Sequence, residues 1–147
     1  MYRHILVPTD GSPLSARAIK EAVKFARSSG AKITGFYAAP EFRLPVYGDY
    51  IPPQAFNTGE FQRHTREVAD KHLEVIERAA RAAGVRCKCV YVANDRPAEA
   101  IIEAAKKHRC DLIFMASHGR RGLQGLLLGS ETMKVLTHSK TPVLVHR

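Results

Sequence analysis

The sequence has no long hydrophobic run and no stretch that looks like a targeting segment. No apolar run approaches the roughly 20 residues that a membrane-spanning helix needs. The N-terminus, MYRHILVP, lacks the long apolar region and small-residue cleavage site of a signal peptide. We therefore expect a cytoplasmic protein without a membrane segment. The apolar fraction of 45% is ordinary, and 147 residues predict one folded domain covering positions 1–147.

Cysteine is also scarce, with one residue each at Cys87, Cys89 and Cys110. The number is odd and the spacing is not that of a disulfide framework. Cys87 and Cys89 are two residues apart and would share one face of a strand, but two thiols alone do not complete a zinc site. We expect all three to be free thiols that are buried or half-buried.

Acidic residues are outnumbered by basic ones, and the formal net charge is +9. This charge favours an acidic partner, which could be nucleic acid, a membrane surface or a polyanionic small molecule. The lysines and arginines are spread along the chain without a block of five or more. The charge therefore does not choose among these partners.

Hydrophobic periodicity predicts alternating strands and helices, without an internal repeat. The predicted strands cover residues 4–7, 32–38, 85–92, 112–116 and 142–146. Helices are predicted from Ser12-Pro13 to Gly30, over 58–83, from 95–97 to about His108, and over 130–139. Residues 39–57 form a long irregular connection that could close over a site or contact partners. Alternation of this kind favours a parallel sheet with helices on both faces, which binds ligands beyond the C-terminal ends of its strands.

The segment 115–132 follows the fourth predicted strand and contains four glycines and two arginines within residues 119–129. Glycine lets the backbone approach a ligand closely. A helix that begins near Ser130 directs unpaired N–H groups and the positive end of its dipole at this loop. The segment therefore predicts a phosphate-binding loop. It is not a P-loop, because the chain has no Gly-x-x-x-x-Gly-Lys-Ser/Thr sequence.

These segments resemble the universal stress protein family, in its adenine-nucleotide-binding branch. The resemblance covers the opening ILVPTDGS, the closing TPVLV and the order of elements between them. The family motif is Gly, two residues, Gly, nine residues, then Gly and Ser or Thr. Gly119 and Gly129-Ser130 match it, whereas Ala116 replaces the first glycine. We expect Ala116 to lie at the end of a strand with negative φ, where a methyl group is tolerated.

The resemblance implies a single-domain, five-stranded, parallel α/β sheet in the order 3-2-1-4-5, of the Rossmann-like, adenine nucleotide alpha hydrolase-like type. It also implies a homodimer joined through the last strand. That strand, residues 142–146, would be an apolar sheet edge, and such an edge favours pairing with a partner.

By the same resemblance, one set of residues would contact ATP or AMP. Asp10 would face the ribose or a phosphate-bound Mg²⁺, although it could also serve only as a turn residue. The glycines, Ser130 and the Glu131 backbone would bind phosphate, with the Glu131 carboxylate pointing away, whereas the loop arginines could equally be solvated. The expected nucleotide-binding residues are Pro8, Thr9, Asp10, Ala38, Met115, Ala116, His118, Gly119, Arg120, Gly129, Ser130 and Glu131.

The resulting prediction is an ATP- or AMP-binding regulatory protein of the stress response, with at most slow ATP hydrolysis. The first alternative is a dimeric interaction module that binds no nucleotide, which the substitution at Ala116 favours. The second is a nucleic-acid binder, because residues 119–122 have the Gly-x-x-Gly form of a KH-domain clamp. That loop joins two helices in a KH domain, whereas here it follows a strand, so nucleic acid is the weaker alternative.

Overall fold

A computed structural model of the chain describes residues 1–53, 57–119 and 127–147, and five parallel strands form one sheet within them. The sheet order is β3-β2-β1-β4-β5, which confirms the predicted α/β topology. The elements in chain order are β1 (His4–Pro8), α1 (Pro13–Ser29), β2 (Lys32–Ala39), α2 (Thr58–Ala82), β3 (Cys87–Ala93), α3 (Pro97–Lys107), β4 (Leu112–Ala116), α4 (Ser130–His138) and β5 (Val143–His146).

The two central strands, β1 and β4, send alternate side chains to opposite faces of the sheet, because successive residues of a strand point in opposite directions. Ile5 and Val7 pack with α1 and α2 in one hydrophobic core. Leu6 and Ile113 pack with α3 and α4 in a second core on the other face. The near-continuous apolar runs of these strands follow from this double burial.

Most element boundaries fall within one residue of those predicted, but β3 begins at Cys87 rather than at residue 85. Gly84 takes a positive φ of 69° at the end of α2, and the Val85 N–H donates to the Ala80 carbonyl at 2.9 Å. Val85 therefore completes the end of the helix instead of joining the sheet.

The connection between β2 and α2 is held partly by Asp95, which follows β3. Its carboxylate accepts from the Glu41 N–H at 3.0 Å and from the Arg43 guanidinium at 2.6 Å. These bonds hold the pKa of Asp95 below its ordinary value. Phe42 also makes an edge-to-face contact with Phe61 of α2, with ring centroids 5.1 Å apart. The first part of the long connection is thus attached to both α2 and the loop after β3.

None of the helices in the described ranges has the length and apolar character needed to cross a bilayer. The three cysteines are free thiols, half-buried at Cys87 and Cys89 and buried at Cys110, as predicted.

Candidate functional site

The loops that follow β1 and β4 meet at the C-terminal edge of the sheet. These strands are neighbours, and the chain order reverses between them, so a crevice opens at this point. Gly119 lies so close to the Asp10 carboxylate that a Cβ at position 119 would overlap it. A cleft of about 420 Å³ adjoins this contact and is lined by Gly11, Ser12 and the first turn of α1 on one side and Gly119 on the other. The two segments singled out in the sequence are therefore brought together.

The loop after β1 directs its polar side chains into the beginning of α1. The Ser12 hydroxyl accepts from the Ser15 N–H at 3.2 Å, and one Asp10 oxygen accepts from the Ser12 N–H at 2.9 Å. The Thr9 hydroxyl lies 3.1 Å from the Ser15 hydroxyl and accepts from the Gly11 N–H. The N-terminus of α1 is therefore capped by its own segment. Thr9 can offer the crevice little beyond its backbone, because its side chain is turned inward.

Gly11 packs against a histidine that the sequence analysis did not select. Gly11 has a φ of +77°, and a Cβ at position 11 would overlap the His72 ring. His72, from α2, makes an edge contact with Tyr37 of β2 at a centroid distance of 4.9 Å. The loop after β1 is therefore packed against α2, and through His72 against β2. No sequence pattern connects positions 11, 37 and 72, so only the fold reveals this packing.

Ala116 has the extended conformation predicted for it. It is the last residue of β4 and pairs with His146 of β5, and in the described ranges positive φ outside glycine occurs only at Arg109. Its carbonyl accepts from the Thr132 hydroxyl of α4 at 3.0 Å. An alanine therefore fits the position of the first motif glycine without backbone strain.

Ser117 and His118 are hydrogen-bonded, which their adjacency in sequence did not establish. The Ser117 Oγ lies 3.0 Å from the His118 Nδ1, and Ser117 is only 2% exposed. The His118 Nε2 is buried and has no hydrogen-bond partner in the part of the chain that the structure describes. The buried hydroxyl is poorly placed to attack a substrate, whereas the Nε2 offers a polar atom to a bound group.

Gly129 immediately precedes α4, and in the described residues no side chain caps this helix. We call residues 129–132 the open N-terminus of α4. Gly129 has a φ of −71°, so it is not required for positive φ. A Cβ there would lie 3.3 Å from both the His118 Cα and the Ser117 oxygen, so the residue allows a close backbone approach.

The Gly129 N–H donates to the Ser117 carbonyl at 2.7 Å. This amide was expected to bind phosphate, but it already has a partner within the protein. The first intrahelical bond runs from the Met133 N–H to the Gly129 carbonyl at 3.0 Å. The amides of Ser130, Glu131 and Thr132 are those that an α-helix leaves without an intrahelical acceptor.

Glu131 turns its carboxylate away from this turn, as the sequence analysis required. One oxygen accepts from the Ala98 N–H in the first turn of α3 at 3.0 Å, and the other accepts from Lys134 at 2.9 Å. The side chain thereby caps α3, whose own N-cap residue, Arg96, makes no capping hydrogen bond with its side chain in the described structure. The negative charge is engaged elsewhere while the Glu131 backbone stays at the start of α4.

The remaining predicted residues contribute differently. Pro8 ends β1 and is buried, and Ala38 is half-buried within β2. Met115 is 6% exposed and its side chain belongs to the core beneath α3 and α4, so only its backbone could contact a ligand in the crevice. Arg120 and Arg121 lie outside the described residues. In the residues that are described, no group of three or more His, Cys, Asp or Glu side chains could hold a metal ion.

A doubly wound, five-stranded parallel sheet in the order β3-β2-β1-β4-β5 defines an α/β protein of the Rossmann-like class. The universal stress protein family model matches residues 1–147. The chain belongs to the universal stress protein family.

Individual relatives support this assignment over the whole length. Universal stress protein YxiE of Bacillus subtilis is 32% identical, and the match covers 100% of both chains. The solved structure of MJ0577, a universal stress protein of Methanocaldococcus jannaschii, is similar with a TM-score of 0.81 and 28% identity, covering 99% of this chain and 95% of that one. A universal stress protein crystallised in complex with cAMP is also 28% identical, with a TM-score of 0.62 and coverage of 99% and 97%.

Proposed function

We propose that this protein binds an adenine nucleotide, ATP or AMP, in the crevice between the ends of β1 and β4 and acts as a regulatory protein of the stress response. The observation that carries this proposal is the open N-terminus of α4, where Gly129 lies against Ser117 and His118, while the neighbouring Gly119 lies against Asp10. A related protein solved with cAMP supports an adenine nucleotide as the ligand.

The phosphates would lie on the first turn of α4. Amides at a helix N-terminus bind anions through direct hydrogen bonds and through the helix dipole. The Ser130 hydroxyl adds a donor, and the Glu131 carboxylate does not repel the anion because it is held by Ala98 and Lys134. This turn can therefore accept a negative group without rearrangement of its acidic side chain.

His118 would supply a further donor to the phosphates. Its Nε2 is buried and has no hydrogen-bond partner among the described residues, and the ring lies beside Gly129. A buried polar atom without a partner is unfavourable, and a phosphate oxygen would relieve this. The bond between Nδ1 and Ser117 would hold the ring in place.

The nucleoside would occupy the other end of the crevice. One Asp10 oxygen accepts from the Ser12 N–H, and the other faces Gly119, where the ribose or a phosphate-bound Mg²⁺ would meet it. The backbones of Thr9, Ala38 and Met115 would border the adenosine, together with Pro8 and Ala116.

We also propose that the protein is a homodimer joined through β5. This strand, Val143–His146, is at the edge of the sheet and pairs only with β4 within the described chain. Met133 and Leu136 of the neighbouring helix α4 are large apolar residues that are 49% and 39% exposed. An apolar edge of this kind favours pairing with a second copy. Light scattering should give the mass of two chains, and a monomer at micromolar concentration would reject the dimer.

Calorimetric titration of the purified, nucleotide-free protein tests the nucleotide proposal. ATP with Mg²⁺ and AMP should each bind at one site per chain, with ATP in the micromolar range, whereas GTP should bind more weakly. A Gly129→Asp variant should lose this binding. If ATP gives no heat at millimolar concentration while the protein is folded, the nucleotide proposal is wrong and the interaction module is the better reading.

A further inference from the structure

A pair of thiols lies on the edge strand β3, away from the crevice. Cys87 and Cys89 point to the same face of the strand, toward α2, and their sulfur atoms are 3.9 Å apart. Gly35 of β2 is the register partner of Cys89, and a Cβ at that glycine would lie 2.6 Å from the Cys89 sulfur. The glycine thus provides the space that this sulfur occupies.

The pair adjoins a groove of about 430 Å³ between α2 and β3. Cys89 and Tyr91 line it from the strand, and Asp70, Glu74 and Glu77 line it from one face of α2. Two basic side chains complete the wall, so carboxylates outnumber cations in this groove although the whole chain carries a charge of +9. The local charge suits a cation.

The two thiols lie within hydrogen-bonding distance of each other, and either sulfur could be the donor. The Leu73 carbonyl lies 3.7 Å from the Cys89 sulfur and offers the Cys89 S–H an acceptor. A metal ion bound to both sulfurs would replace their protons.

We propose that Cys87 and Cys89 bind one copper(I) ion as a bis-thiolate at the edge of the α2–β3 groove. Thiolates select soft cations, and two thiolate ligands are sufficient for copper(I). A zinc–thiolate bond is about 2.3 Å long, and two bonds of that length in line span ~4.6 Å, so the observed separation of 3.9 Å would open by about 0.7 Å for a metal of similar size. Binding joins the ion to both sulfurs, and the protons of both thiols pass to solvent.

Two other fates of this pair fit the geometry less well. Zinc requires four ligands, and the described residues contain no cluster of three or more metal-binding side chains. In a disulfide the sulfurs would approach to about 2.05 Å, and residues two apart in a strand have Cα atoms roughly 6.6–6.8 Å apart, at the upper limit for such a bond. The pairing of β3 with β2 at both positions resists the bend that would bring the sulfurs together.

The test is a competition for copper(I) under anaerobic conditions between the reduced full-length protein and a chromogenic copper(I) chelator. The wild type should withdraw one ion per chain. Cys87→Ser and Cys89→Ser should each weaken binding by on the order of 100-fold or more, because each removes one of two ligands. Cys110→Ser removes a thiol from a separate core and should compete like the wild type.

Circular dichroism of each variant establishes that it is folded, and ATP titration in parallel keeps this proposal separate from the nucleotide site. The proposal is overturned if the wild type withdraws no copper(I), or if the folded Cys87 and Cys89 variants still compete like the wild type. Binding of Zn²⁺ with equal affinity would also overturn it, since that requires ligands beyond these two thiols.

Discussion

The helices α1 and α4 begin at the same edge of the sheet, after neighbouring strands, yet their N-termini are finished in opposite ways. At α1, the Ser12 hydroxyl accepts from the Ser15 N–H, and the Asp10 carboxylate and the Thr9 hydroxyl bind adjacent atoms. At α4, the N-cap residue is Gly129, which has no side chain to offer, and no described side chain takes its place.

With the function proposed above, this difference separates a helix start that stabilises the fold from one that binds a ligand. A capped N-terminus has used its donors to stabilise the fold, whereas an open one keeps them for a ligand. The nearby carboxylate that could have filled the open turn, Glu131, is instead committed to α3. The positive end of the α1 dipole is therefore used by the protein's own side chains, whereas that of α4 is available to an anion.

Gly129→Asp should have the largest effect, because it gives α4 the kind of cap that α1 has. The φ of −71° admits aspartate, although the backbone around His118 must shift by a few tenths of an ångström. The carboxylate would accept from the helix amides and repel phosphate, so ATP affinity should fall by roughly 100-fold, or about 2.7 kcal/mol. Calorimetry measures the loss.

Gly129→Asn is the matched control, since it caps the helix without a charge. It should bind ATP more weakly than the wild type but better than the aspartate variant. Equal affinities for the two variants would show that charge repulsion plays no part, and wild-type affinity in both would contradict the assignment of the phosphates to this turn.

Gly119→Ala should have the next largest effect. The added Cβ would displace the Asp10 carboxylate, and the altered crevice should bind ATP about tenfold more weakly. A double-mutant cycle with Asp10→Ala measures the coupling, because removal of the carboxylate also removes the overlap. Effects that simply add would mean that the Asp10–Gly119 contact does not shape the site.

Ser12→Ala tests whether the cap of α1 serves the stability of the fold and not ligand binding. Loss of the cap should lower the free energy of unfolding by about 1 kcal/mol, as measured by urea denaturation. The affinity for ATP should change little, because the Ser12 hydroxyl serves the Ser15 N–H rather than the crevice. A large loss of affinity without loss of stability would assign α1 to the ligand instead.

The smallest effect is expected on stability, at the end of the sheet opposite the crevice, where β1 begins. Burial, followed by the charge of Lys32, lowers the pKa of His4 below its ordinary value of 6.5. The folded protein resists protonation, so stability should decrease as the pH falls through about 6.5, where the unfolded chain begins to bind the proton. His4→Gln should reduce this decrease in urea unfolding at pH 7.5 and 5.5. If the free energy of unfolding of the variant still differs between the two pH values as much as that of the wild type, the pH dependence comes from other groups. His108, whose pKa is also lowered, is one such group.

Much of the fold followed from local patterns. Alternating elements predicted the parallel sheet and a ligand site beyond the C-terminal ends of its strands, where Asp10 and Gly119 lie close together. The family resemblance implied the strand order that the structure confirms. The start of β3 was placed too early, because a helix-ending bond of Val85 cannot be distinguished from strand pairing in a short apolar run.

The details of the site were less predictable, because they depend on contacts between distant residues. The Gly129 amide was expected to face a ligand, but it donates to Ser117, twelve positions earlier. The approach of His72 to Gly11 and the capping of α3 by Glu131 likewise join different elements. A sequence motif indicates which residues gather, whereas the direction of each amide and side chain is set by packing.

The most direct test of the central claim compares the two helix starts in one experiment. Backbone amide chemical shifts can be followed by NMR during titration with ATP and, separately, with adenosine. The account predicts large, phosphate-dependent shifts at Ser130, Glu131 and Thr132 that adenosine does not reproduce, and a much smaller shift at Ser15. Shifts of equal size at Ser15 and Ser130, or the same pattern with adenosine, would contradict it.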